Sequence, residues 1–154
     1  MEKFAEQTAA AKNHIIRGEY MVVLFDIYNL PEDVYEVIFA TPQQKIVGKL
    51  LIKMMKDKGG EITKTEMSLF AMQLHDGTFV TELDEPEYKN KKVKLSYNKR
   101  QFYDRILTPM KGMGLIDYDL YKKTYKISDK FNKALVKIGL MWMREYREIS
   151  EQKI

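Results

Sequence analysis

Ser96-Tyr97-Asn98-Lys99-Arg100-Gln101-Phe102-Tyr103-Asp104-Arg105-Ile106-Leu107-Thr108-Pro109-Met110-Lys111-Gly112-Met113-Gly114-Leu115-Ile116 decides how this chain is read, together with its continuation Asp117-Tyr118-Asp119-Leu120-Tyr121-Lys122-Lys123-Thr124-Tyr125-Lys126-Ile127-Ser128. The spacing predicts a cationic helix from Tyr97 to Met113, closed by Gly114. A short hairpin follows with Lys122 and Lys123 at its tip, and Ser128-Asp129 opens a new helix. On a helical wheel Phe102, Ile106, Met110 and Met113 share one side, with Tyr103 at its edge, and should face a core. Arg100, Gln101, Asp104, Thr108 and Lys111 fall opposite, with Asn98 and Arg105 on the flanks.

That polar face carries the chemistry of base reading. Arg can bridge guanine O6 and N7, and Asn or Gln can bridge adenine N6 and N7. Ser96 is the expected N-cap, which would turn free amides toward phosphate. A solvated amphipathic helix is the plainer reading of this stretch alone. Against it, residues 89–111 hold eight bases and one acid, and a basic ribbon follows at once. The expected DNA-contacting residues are therefore Tyr97, Asn98, Lys99, Arg100, Gln101, Asp104, Arg105 and Thr108 on the helix, and Tyr121, Lys122, Lys123 and Lys126 on the ribbon. Pro109 removes a helical hydrogen bond and collides with the carbonyl of Arg105, so a kink or break is expected near Thr108.

Working outward, Leu30-Pro31-Glu32-Asp33 reads as a helix start that carries a short helix to about Ala40. Thr41-Pro42 starts another, with Ile46, Val47, Leu50, Leu51 and Met54 at helical spacing until Gly59-Gly60. Glu61-Ile62-Thr63 is an extended piece able to pair with the later hairpin, and Thr65-Glu66 opens a helix that closes at Asp76-Gly77. Residues 78–95 are either a loop or an added hairpin of Thr78–Leu83 with Lys92–Leu95. Before residue 30, residues 4–17 suggest a helix, while Tyr20–Tyr28 fits a buried helix or a strand equally well. The last helix, from Asp129 to about Glu151, aligns Phe131, Leu135, Ile138, Trp142, Tyr146 and Ile149, with Ala134, Leu140 and Met141 widening the stripe.

Composition narrows the function classes. Residues 1–40 hold seven acids against three bases, net −4; the rest hold twenty-three bases against fifteen acids, net +8, so the basic surface lies after residue 40. Lysine far outnumbers arginine, which together with abundant Glu, Ile and Tyr resembles thermophile proteins. No apolar run approaches the roughly 20 residues of a membrane span. Met1-Glu2-Lys3-Phe4 does not read as a secretory signal, and there is no cysteine, so a cytoplasmic setting is expected. His14 and His75 are far apart and form no metal spacing. Gly48-Lys49 lacks the rest of a phosphate loop, and Asp117 with Asp119 reads as a solvated strand edge. Neither enzymatic activity nor a cofactor nor a metal is expected. The methionines read as core or dimer packing.

The order helix, Gly114-Leu115-Ile116, hairpin, Tyr125-Lys126-Ile127-Ser128-Asp129 resembles winged helix-turn-helix regulators such as the MarR and PadR families, and small winged-helix proteins of archaea and their viruses. The resemblance extends from Thr41 to Asp129. It implies a mainly α fold with a small β-hairpin wing, an α+β class, extended by an N-terminal segment and a long C-terminal helix. It divides the chain into a helical extension over 1–40 that packs on or swaps with the core, a winged-helix domain over 41–128, and a dimerisation helix over 129–154. It further implies a transcriptional regulator of double-stranded DNA that places helix 97–108 in the major groove and the 115–127 wing on phosphates. A homodimer through residues 129–151, with 1–40 as a second candidate surface, goes with it. The competing expectation is a winged-helix protein-interaction module of a transcription or replication complex, motivated by the acidic N-terminus and the Trp142 region. A third is single-strand binding, with Tyr97, Tyr103, Tyr121 and Tyr125 as a stacking platform.

Overall fold

A computed structural model describes residues 25–82 and 92–152 of the chain, and it is mostly helical with a small three-stranded antiparallel sheet, an α+β class. The expected helix over 4–17 lies outside the described residues. So does most of Tyr20–Tyr28; its end is a turn in which the Asp26 carboxylate accepts from the backbone N–H of Tyr28 at 2.9 Å, and Phe25, Ile27 and Tyr28 are exposed. The chain divides into two units, Met1–Pro42 and Gln43–Ile154.

In the first unit α1 spans Val34–Ile38 and begins at Asp33, whose side chain accepts from Tyr35 N–H at 2.8 Å. Pro31 and Glu32 therefore precede the cap and are not in the first turn.

The second unit is built around α2 (Pro42–Asp57), which starts on its proline as expected and buries Val47, Leu50, Leu51, Ile52 and Met55. Gly59 and Gly60 end it in the left-handed region. Strand β1 (Glu61–Thr63) leads into α3 (Lys64–Asp76), which opens one residue earlier than expected. The reason is a capping box: Thr63 Oγ1 accepts from Glu66 N–H while the Glu66 carboxylate accepts from Thr63 N–H. Gly77 closes α3 in the left-handed conformation. The 78–95 insertion is the hairpin alternative, with β2 (Phe79–Glu82) antiparallel to β3 (Lys92–Leu95) in the register Phe79 with Leu95 and Glu82 with Lys92.

From Lys99 to Gly112 the helix is composite: α4 (Lys99–Gln101), a π-helical segment (Phe102–Leu107) and α5 (Thr108–Gly112). Of the kink or break expected near Thr108, the structure shows no break. Thr108 N–H donates to Tyr103 O, five residues back, and the wider turn carries the helix across the proline instead of interrupting it. The same widening brings Leu107, absent from the expected core face, to 1% exposure beside Phe102, Ile106 and Met110, while Met113 is only half-buried.

Strands β4 (Ile116–Asp119) and β5 (Thr124–Ile127) form the terminal hairpin, and β1 adds to β5 to give the order β1-β5-β4. Fully buried side chains come from α2, α3, the composite helix and the sheet, among them Leu51, Met67, Leu74, Phe102, Ile106 and Ile116. Phe70 joins three elements through edge-on contacts with Phe79 and Phe102 at 5.2 and 5.5 Å. Helix α6 (Lys130–Gln152) leaves from Gly114, whose carbonyl accepts from Phe131 N–H at 3.0 Å. None of its residues is buried. Among the described residues no helix is long and apolar enough to cross a membrane.

Candidate nucleic-acid interface

The composite helix is held at its start by α3. Tyr97 N–H donates to Leu74 O at 2.9 Å and Lys99 N–H donates to His75 Nδ1 at 3.2 Å. The cap is Asn98, whose Oδ1 accepts from Gln101 N–H at 3.1 Å; it is not Ser96. Two amides at this end are thus taken up by protein acceptors, so the expected display of free amides toward phosphate is reduced. Asn98, with its Oδ1 engaged, offers only its NH2 and cannot make the paired donor and acceptor contact to adenine without giving up the cap.

Tyr97 is corrected outright. It is 5% exposed, and burial pushes its phenol above the usual tyrosine range, against the opposing effects of the Arg105 charge and a hydrogen bond with Gln44. It is a core residue out of reach of bases. Tyr125, at 7%, is likewise inside, with Tyr118 stacked at 4.6 Å between centroids. The four-tyrosine stacking platform therefore reduces to Tyr121, with Tyr103 half-covered.

The outward face is as expected: Asn98, Arg100, Gln101, Asp104, Arg105, Thr108 and Lys111 are all exposed, with Lys99 half-buried. Arg100 and Asp104 pair one turn apart at 3.8 Å. Both are open to solvent, so the pair is weak and its guanidinium can be given up to another acceptor at small cost. Lys111 is directed back to the sheet, with Nζ 5.6 Å from the Tyr118 centroid and 5.9 Å from that of Tyr125. A recess of about 510 Å³ lies beside Arg100 and Tyr103, bounded on the other side by Met72 and His75. In sequence His75 stands out only as lacking a metal-binding spacing; its partner Lys99 is 24 positions away, so nothing local could reveal the contact.

The tip of the β4–β5 hairpin is pre-shaped. The Asp119 carboxylate accepts from the N–H groups of Lys122 and Tyr121 at 3.0 and 2.9 Å, which holds it below the usual carboxylate range. Lys123 sits at φ +54°, and its carbonyl accepts from Lys64 N–H at 2.9 Å, tying the tip to the start of α3. Lys122 and Lys123 are exposed and Tyr121 is 99% exposed. Leu120, 75% exposed in the same turn, was not anticipated. Lys126 is exposed but stands in register between Glu61 and Asp117 on the flanking strands, so its charge is partly answered within the sheet. Asp117 in turn pairs with Lys130 at 2.8 Å.

Among the described residues no group of three or more His, Asp or Glu side chains could hold a metal ion. The chain matches no protein-family model, no curated protein and no solved structure.

Proposed function

We propose that this chain is a homodimeric, sequence-specific double-stranded DNA-binding protein of the winged helix-turn-helix kind, acting as a transcriptional regulator. One observation carries the reading. A helix, strand and helix lead through an inserted hairpin to the composite helix and a two-stranded ribbon, and the first strand pairs with the last in the order β1-β5-β4. That arrangement supports a composite helix reading base edges through Arg100 and Gln101, flanked by Lys99, Arg105 and Thr108, while Tyr121, Lys122 and Lys123 meet phosphates and Lys126 contributes less. The helix available for reading extends through Thr108 without a break. Exposed α6, over Lys130–Gln152, supplies the dimer surface.

Fluorescence anisotropy with a random duplex and its single strand across a salt series tests the reading. Duplex preference with a log–log salt slope of about −0.9 per phosphate contact is expected. Arg100→Ala or Gln101→Ala should relax preference at one base position by about 1–3 kcal/mol, whereas Lys122→Ala or Lys123→Ala should weaken all duplexes alike. Equal losses on specific and random DNA for both kinds of variant would remove the helix as reader. The second reading, a winged-helix protein-interaction module, draws on Trp142, 68% exposed on a helix with no buried residue. Absence of duplex binding at low salt would put it first.

A further inference from the structure

Resting on the dimeric DNA-binding reading, we propose that the partner of α6 is the α6 of a second copy, laid antiparallel and crossing at Trp142 on the two-fold axis. Nine large apolar side chains of α6 are exposed, and Leu135, Ile138, Trp142, Tyr146 and Ile149 among them make one stripe along it. With roughly half of each open, and about 150–250 Å² for the aromatic ones, the five of the stripe offer on the order of 500 Å² per chain, so the pair reaches about 1,000 Å², the lower bound of a specific interface.

The spacing of the stripe selects the direction. A parallel coiled coil repeats its seam at alternating steps of three and four residues, which after Trp142 would put Glu145 in the seam. The apolar steps are instead three, four, four, three, a pattern symmetric about Trp142. Run antiparallel, Leu135 meets the partner's Ile149, Ile138 meets the partner's Tyr146, and the two Trp142 rings meet at the axis, as a self-complementary interface demands. A shorter second stripe, Val136, Leu140 and Met143, lacks that symmetry. Net charge agrees: the first half of α6 carries Lys130, Lys133 and Lys137, and the second carries Glu145, Glu148 and Glu151 against Arg144 and Arg147, so antiparallel pairing sets a positive half against a slightly negative one and brings Lys133 level with the partner's Glu151.

The crossing point also fixes a length. Lys130 and Trp142 are 12 residues apart, which at about 1.5 Å per residue is about 18 Å, so the two helix starts stand about 36 Å apart along the pair. That matches in length the roughly 34–36 Å of one DNA turn between half-sites. The crossing at Trp142 thereby sets the distance between the two points at which α6 leaves each core.

The full chain lacks cysteine, so introduced thiols report cleanly. Without DNA, sedimentation should give twice 18.2 kDa, and Trp142→Glu, at an exposed position, should raise the dimer dissociation constant by about 100-fold or more while leaving the circular dichroism spectrum unchanged. Mixed and oxidised, Leu135→Cys and Ile149→Cys chains should cross-link to each other and neither to itself. A monomer at all concentrations, Leu135→Cys cross-linking to itself, or a dimer indifferent to Trp142→Glu would each overturn the proposal. Failure of the DNA reading would leave these results intact, and failure of the dimer would leave duplex binding by the single chain.

Discussion

The composite helix and α6 are both amphipathic by sequence, yet among the described residues one is covered and the other is not. Phe102, Ile106, Leu107 and Met110 are each at most 1% exposed, while α6 runs 23 residues without a buried one. The difference lies in what surrounds each helix. The composite helix is covered by Phe70 of α3 and the sheet that follows it, whereas α6 leaves the core at its first turn, at Gly114. An apolar stripe reports that a helix needs cover and is silent on whose chain provides it.

The largest break in the comparison should come from truncating the covered helix. Phe102→Ala removes a fully buried ring touching Phe70 and Tyr103, and should cost about 3–5 kcal/mol in urea unfolding. Ile149→Ala on α6, measured where the chain is dilute enough to be monomeric, should change stability by less than about 0.5 kcal/mol. Similar losses from both would mean that α6 is covered within its own chain.

Next comes the point where the two regions join. Gly114 has φ +86°, and a Cβ there would lie 2.8 Å from Phe131 N and 2.9 Å from Lys130 C, both backbone atoms unable to swing aside. Gly114→Ala should therefore cost about 1–3 kcal/mol in thermal unfolding, and should loosen the root of α6 before the core. A neutral result would show that the exit of α6 is free to re-aim.

Much of this was legible beforehand for identifiable reasons. Pro42, Gly59-Gly60 and Gly77 are backbone punctuation whose effect is local, and the helices they bound are those expected. The β4–β5 hairpin and the pairing of β1 with it followed from short apolar runs between turn residues. The outward face of the composite helix followed from the wheel. The misses arose where a distant partner or a non-standard turn decided the outcome. Tyr97 looked like an exposed helix-end aromatic because Leu74 and Gln44, which fix and cover it, are distant in sequence. Leu107 was missed because a wheel of constant pitch cannot hold a π turn.

That turn gives a smaller and sharper test. Pro109→Ala restores an N–H able to bond four residues back, a gain of about 1 kcal/mol. Reverting to regular α pitch would rotate Leu107 out of the core, at about 1.5–3 kcal/mol. Burial wins, so the π segment should persist, with backbone carbon shifts of 102–107 unchanged and stability altered by less than about 1 kcal/mol. Loss of the π shifts would assign the turn to the proline.

The smallest effect belongs to the surface carboxylates that brace α3 and the hairpin tip. Glu66 lies below the usual carboxylate range because Lys58 pairs with it and Thr63 N–H donates to it; Asp119 does so because Lys122 N–H and Tyr121 N–H donate to it. A depressed folded-state pKa means that the unfolded chain takes up protons first as pH falls. Their stabilisation is therefore present above the ordinary carboxylate pKa and is lost as pH drops through the lower folded value. Both groups face water, so the effect is modest and shrinks with salt. Glu66→Gln should lower the unfolding midpoint slightly at pH 7, and the gap to the parent should close toward pH 3. A gap that stays constant with pH would assign the role of Glu66 to its neutral hydrogen bonding and leave its charge without a part in starting α3.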